Sequence, residues 1–226
     1  FAVVDGVLYK ADKTQIVYYP EQRKAASLTI PKEVILIGEE TFAYNEVLKE
    51  IIFEAGGTEP LVIENKAFYN AINLLRVELP ERLTSIGEYA FGYCQQLISI
   101  TIPENVKTIG EDAFYRCEKL VEVFNQSSLV IDAYHDSYVA YYAANIYTPT
   151  EGQSILEYRE DGFVTYTDEE GTVYLMGYGG FDTEITIPGY IDAIDGSSFY
   201  AGVVFYGSDI TKVVISEGVE YLGGGF

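Results

Sequence analysis

The sequence predicts a β-rich solenoid, built of right-handed stacked coils of about 23 residues with short helical turns, plus β-hairpin segments. Three observations predict it. Equivalent residues recur at one spacing, as Phe91 and Phe114 do. Short runs of alternating apolar residues, such as Ile100-Thr101-Ile102, stop at a proline. An Ala-Phe pair follows that proline at a constant distance, Pro80 to Phe91 and Pro103 to Phe114.

The coils align directly. One runs from Leu97 through Ile100, Ile102-Pro103, Val106, Ile109-Gly110, Ala113-Phe114 and Cys117 to Leu120. The preceding one has Leu74, Val77, Leu79-Pro80, Leu83, Ile86-Gly87, Ala90-Phe91 and Cys94 in the same places. An earlier copy starts at Leu28 and carries Ile30-Pro31, Val34, Ile37-Gly38, Thr41-Phe42 and Leu48. Phe42 and Phe68 are 26 residues apart, and Gly56-Gly57-Thr58-Glu59-Pro60 reads as the inserted loop. The pattern returns at Ile185-Thr186-Ile187-Pro188 with Ile191, Ile194 and Phe199, then again at Val213-Val214-Ile215-Ser216.

Each element has a physical reason. Alternating apolar residues point to one side of a strand. Proline ends the strand because it cannot donate to a ladder. Apolar residues three apart (Val106, Ile109) lead the chain round the core, and glycine allows a tight bend. The Ala-Phe pair is expected in a short helical turn, with Phe as the large core plug. A single coil has half a core, which stacking completes.

These residues resemble the BspA-type leucine-rich repeat family: a strand ending in Pro, an Ile-Gly, an Ala-Phe, and a Cys or small residue three places on. The resemblance implies an α/β leucine-rich repeat fold. It also implies an extracellular setting, because such proteins are mostly secreted or surface proteins of gut and oral bacteria, some described as adhesins for host matrix proteins. It carries core positions only and transfers no binding residue.

Two segments precede repeat blocks and read as β-hairpins, Asp5–Pro20 and Asp161–Leu175, each with apolar runs flanking a polar turn. The expected domains are therefore 1–150, a hairpin with repeats and a capping helix, and 151–226, a second hairpin with the start of a second block. The capping helix is expected over 132–145, with apolar residues at Tyr138, Tyr141 and Tyr142. The start at Phe1 and the stop inside a repeat read as a processed chain or excised fragment, so other domains of a longer chain are expected partners.

Composition excludes several functions. With 14 basic and 35 acidic residues the net charge is -21, the wrong sign for nucleic acid or for anionic membrane surfaces. No apolar run is long enough to span a membrane. Catalytic patterns are equally weak. Cys94 and Cys117 share one slot in consecutive coils and are expected as buried free thiols, with no histidine in either coil to act as base. Two cysteines and the distant His135 cannot fill a zinc site. Glu39, Glu111 and Asp112 follow Ile-Gly, where the start of a helical turn would favour acids without catalysis. Asn125-Gln126-Ser127 is a minimal glycosylation sequon. No cofactor, no metal and no enzymatic activity are expected.

Two features could bind a protein or glycan ligand. The first is the ribbon of strand residues lying between core positions, expected to project outward: Arg76, Glu78, Ser99, Thr101, Glu122 and Phe124, extended by Ser27, Thr29, Glu50, Ile52, Glu184, Thr186, Lys212 and Val214. The second is a tyrosine within two residues after each core Phe: Tyr44, Tyr69, Tyr93, Tyr115 and Tyr200. Stacking would align these into a stripe, and tyrosine is a favoured contact residue. The alternative use of the whole array is as a spacer presenting another domain.

Overall fold

The computed structural model describes residues 1–20, 23–117, 119–120, 122–129, 156–180, 182–194 and 210–223. They fall into two compact units, Phe1–Thr148 and Pro149–Phe226. Tyr200, His135 and the expected capping helix lie outside the described residues.

The first unit opens with β1 (Ala2–Val4), β2 (Val7–Tyr9) and β3 (Gln15–Tyr18), all paired antiparallel. Asp5 and Gly6, both with positive φ, make the two-residue turn between the first two strands. β3 then pairs in parallel with β5 (Leu36–Ile37). From there the ladder continues through β7 (Leu61–Ile63), β9 (Leu83–Ile86) and β11 (Thr108–Ile109). The hairpin is thus the first layer of the stack rather than a separate lobe, and it covers what would otherwise be an open edge.

A second parallel ladder holds the strands that end near proline. It comprises β4 (Ser27–Ile30), β6 (Glu50–Phe53) and β8 (Arg76–Glu78), followed by the pair β10 (Ser99–Ile102) and β12 (Glu122–Asn125). Alternation sets the faces: Leu28, Ile30, Ile51, Phe53, Ile100 and Ile102 are buried, while Ser27, Thr29, Arg76 and Glu78 are exposed.

Between the two ladders stands a column of phenyl rings. Phe42, Phe68, Phe91 and Phe114 are at most 1% exposed. Successive centroids are 4.8, 5.0 and 5.2 Å apart, with planes tilted by only 1°, 3° and 8°. Rings in the same slot of coils one strand spacing apart leave the backbone in the same direction, and so stack in parallel. Tyr19, from the hairpin, covers the first ring at 5.1 Å.

The segment carrying these rings is not helical, which corrects the expected helical turns. The residues two before and two after each Phe have positive φ: Glu40 and Tyr44, Lys66 and Asn70, Tyr89 and Tyr93, Asp112 and Arg116. A left-handed residue every fourth position prevents an α-helix. Instead, alternate N–H groups close i→i−3 turns, as Ala43 does to Glu40, while those between reach the next coil, as Phe42 does to Ala67 and Phe68 to Ala90. These backbone groups form a third ladder between coils. Its acidic residues therefore do not sit at a helix start, and the dipole reading of Glu39, Glu111 and Asp112 falls with the helix.

Glycine before the turn is a matter of clearance. A Cβ at Gly110 would meet Glu88 N at 2.3 Å and Gly87 C at 2.6 Å, and one at Gly87 would meet Asn65 N at 2.5 Å. Adjacent coils touch backbone to backbone there.

The second unit repeats the plan. β13 (Leu156–Tyr158), β14 (Phe163–Thr167) and β15 (Val173–Tyr178) are antiparallel. β15 then pairs in parallel with β17 (Ala193–Ile194), and that strand with β19 (Tyr221–Leu222). β16 (Glu184–Ile187) and β18 (Lys212–Ile215) form the other ladder, over a core that includes Phe163, Leu175, Ile187 and Ile194.

Candidate functional site

The turn segments put the tyrosines in a row. Tyr44, Tyr69, Tyr93 and Tyr115 contact in sequence at centroid distances of 5.7, 5.4 and 5.3 Å, each pair nearly perpendicular at 71–74°. The contrast with the parallel Phe column has a backbone cause. Tyr44 and Tyr93 stand two residues after their Phe, at positive φ, whereas Tyr69 and Tyr115 stand one residue after it. Neighbouring rings leave the chain from different slots, so they meet edge to face, the arrangement the ring quadrupole favours.

Tyr89 joins the row, although it precedes its Phe and sequence reasoning missed it. Its ring meets Tyr69 at 6.2 Å and Tyr115 at 5.8 Å, both edge-on. The signal was the residue two before Phe, which is left-handed like the residue two after it and faces the same neighbours. Its hydroxyl bonds the Asp112 carboxylate, and this, with some burial, pushes its pKa up to about 12. Gly92 lies beneath the row; a Cβ there would meet Tyr89 Cδ1 at 3.1 Å and Tyr69 Cδ2 at 3.2 Å. Tyr44 is 55% exposed, and Tyr69, Tyr89, Tyr93 and Tyr115 are half-buried. The row is a close-packed, solvent-facing aromatic surface.

The strand ribbon is mostly occupied with itself. Arg76 pairs with Glu78 and lies 3.6 Å from Glu50, while Ser27 Oγ donates to Glu50 at 3.2 Å. In the second unit Lys212 and Glu184 pair at 2.8 Å across the ladder. Apart from the Arg76–Glu78 pair within β8, these are cross-strand contacts between equivalent positions of adjacent coils. Thr101 and Phe124 are half-buried. Glu122 departs from the expected outward face. It is fully buried and accepts from Ser99 Oγ at 3.1 Å; Lys119 and Gln96 are buried too, the Lys119 ammonium donating to Gln96 Oε1 at 2.7 Å. Position in the strand set its direction, but at this end of the block that direction does not lead to water.

At the start of these turn segments lies an open hollow of about 230 Å³, lined by Glu39, Val62, Ile63, Glu64, Asn65, Ser85 and Gly87. In its lining, Glu64 stands in the slot that holds Gly38, Gly87 and Gly110 in other coils. Its carboxylate folds back to accept Glu39 N–H at 2.9 Å. Asn65 Oδ1 likewise accepts Glu88 N–H at 2.9 Å.

The remaining chemistry-bearing residues serve structure. Cys94 and Cys117 are free and buried, and their thiols donate to the carbonyls of Phe68 and Phe91 at 3.2 and 3.1 Å. Burial pushes the Cys94 thiol well up from its ordinary value, away from nucleophilic thiolate. The sequon asparagine is committed too. Asn125 Oδ1 accepts from Ser127 N and Oγ, and its Nδ2 donates to Leu129 O at 2.7 Å. Among the described residues no three His, Cys, Asp or Glu side chains converge to hold a metal.

A family model described as the BspA type leucine rich repeat region matches residues 17–140, in six copies. No curated protein sequence matches the chain. Among solved structures, the pneumococcal vaccine antigen PcpA superposes with a TM-score of 0.55 and 22% identity, over 98% of this chain and 47% of that one. The chain thus spans about half the length of that neighbour. A leucine-rich repeat protein from Bacteroides ovatus aligns at 18% identity with a TM-score of 0.41, over 97% of this chain and 70% of that one. A Treponema pallidum leucine rich repeat protein aligns at 22% identity with a TM-score of 0.39, over 52% and 66%.

Proposed function

Because the chain belongs to the BspA-type leucine-rich repeat family, we propose that it is a non-catalytic extracellular binding module of a bacterial cell-surface or secreted protein, recognising a host protein or glycan. One observation carries the reading: the interlocked tyrosine row on the outside of the turn ladder. A stack needs a phenyl column inside, but it has no need for five mutually contacting rings facing water. Such a surface offers wide contact area from side chains already held in place, so binding orders little further. The self-paired ribbon of Arg76, Glu78 and Glu50 is the weaker part of the binding face, because its charges already have partners.

The test is a capture assay with the full chain against matrix proteins and host glycans, run beside Tyr69→Ser/Tyr93→Ser/Tyr115→Ser. Capture by the natural chain that falls about tenfold or more in the variant, with the fold kept by near-ultraviolet dichroism, supports the reading. Absence of capture across the panel favours the spacer role instead.

A further inference from the structure

We propose that the tyrosine row and the hollow at the start of the same turn segments receive an arginine-bearing extended segment of a partner protein. The inference rests on the binding-module reading and names the chemistry of its partner.

Charge comes first. The turn segments 38–44, 64–70, 87–93 and 110–116 carry six carboxylates (Glu39, Glu40, Glu64, Glu88, Glu111, Asp112) against two cations, Lys66 and Arg116. Glu39, Glu40, Glu88 and Glu111 are exposed. The contact of Tyr69 with Tyr89 across the coil brings the residues after one Phe against those before the next, so acids and rings share one surface. Aromatic faces edged by carboxylates suit a cation, and the planar guanidinium more than the ammonium, because it both stacks and forks to carboxylate oxygens.

The protein already makes this contact with its own residues. Arg116 lies over the Tyr115 ring at 5.8 Å, at the end of the row. Arg23 lies over Tyr19 at 5.5 Å, and in the second unit Arg159 lies over Tyr190 at 4.5 Å. Within the row, Tyr89 is the ring with carboxylates beside it, its hydroxyl bonded to Asp112 and Glu88 nearby. The hollow adds depth at the start of the same turn segments: Glu39 and Glu64 line it, with Asn65 and Ser85 as further polar lining. One arginine can therefore enter the hollow while others lie on the rings. A neutral glycan would use the rings but not the six carboxylates, so the charge favours the basic peptide.

The experiment uses two synthetic peptides of equal length and charge, one alternating Arg with Ser and one alternating Lys with Ser. Binding to the full chain is read by fluorescence anisotropy at physiological salt. The arginine peptide binds about tenfold tighter than its lysine counterpart. Tyr69→Ser/Tyr93→Ser/Tyr115→Ser erases that preference, Glu39→Gln/Glu64→Gln weakens both peptides, and Glu169→Gln/Glu170→Gln, at exposed positions of the second unit, changes neither. Equal affinity for the two peptides, or a preference that survives the tyrosine substitutions, overturns the proposal. Tyrosine-dependent capture of a glycan without arginine preference sinks this inference and leaves the binding module standing. A chain that captures neither peptides, matrix proteins nor glycans removes both.

Discussion

Replacing Phe91 by Ala tests the stack at its centre. The side chain is wholly buried, between Phe68 at 5.0 Å and Phe114 at 5.2 Å. Lost burial of a phenyl group contributes about 2–3 kcal/mol. Each broken ring contact adds about 0.5–1 kcal/mol, and here there are two. The sum is about 3–5 kcal/mol, the usual range for Phe→Ala in a core that cannot collapse. Collapse is resisted because the backbone ladders on either side of the ring fix the coil spacing. The assay is urea unfolding of the full chain followed by near-ultraviolet dichroism. Phe91→Leu, which keeps most of the volume, should cost about 1.5 kcal/mol or less. A loss below about 1 kcal/mol for Phe91→Ala would refute the idea that the phenyl column bears the core.

Two further outcomes follow from the same geometry. Gly110→Ala drives a methyl into the Glu88 and Gly87 backbone, whereas Gly56→Ala meets nothing within 4 Å and carries only the strain of φ +88°. Thermal melting should therefore drop much further for Gly110→Ala, while Gly56→Ala costs about 1–2 kcal/mol; equal drops would contradict the close coil contact. Burial lowers the Lys119 pKa to about 7. The folded form then releases a proton that the unfolded chain keeps until about pH 10.4, so stability rises with pH between these values and the cost of the buried charge is full below 7. Lys119→Met should flatten that rise in urea titrations at stepped pH, and an unchanged slope would show that Lys119 stays protonated in the fold.

Much of this architecture could be read from the letters. Ile100-Thr101-Ile102 gives the strand, Pro103 its end, and Phe114 its place in the column, because buried positions demand particular residue types. The turn conformation could not be read in the same way. Of its eight left-handed sites only Asn70 holds the glycine or asparagine that usually marks them, and Glu40, Lys66, Tyr89 and Asp112 are tolerated because inter-coil hydrogen bonds offset the strain. The aromatic row was half legible: Tyr44, Tyr69, Tyr93 and Tyr115 followed from proximity to Phe, but Tyr89 needed the backbone. Glu122 misled because strand alternation assigns a face without saying whether water reaches it. The hollow lined by Glu64 was hidden as well, since residues from several coils form it and no single run of sequence marks it.

The alternating slots of Tyr44, Tyr69, Tyr93 and Tyr115 give inside and outside different periods. Within, every coil is equivalent to the next; on the surface, equivalence returns only at every second coil. Deleting one coil would leave the interior continuous yet place two like rings side by side, whereas removing two would preserve both orders. Evolution by gain or loss of repeats is therefore constrained by parity as well as by length wherever this surface matters.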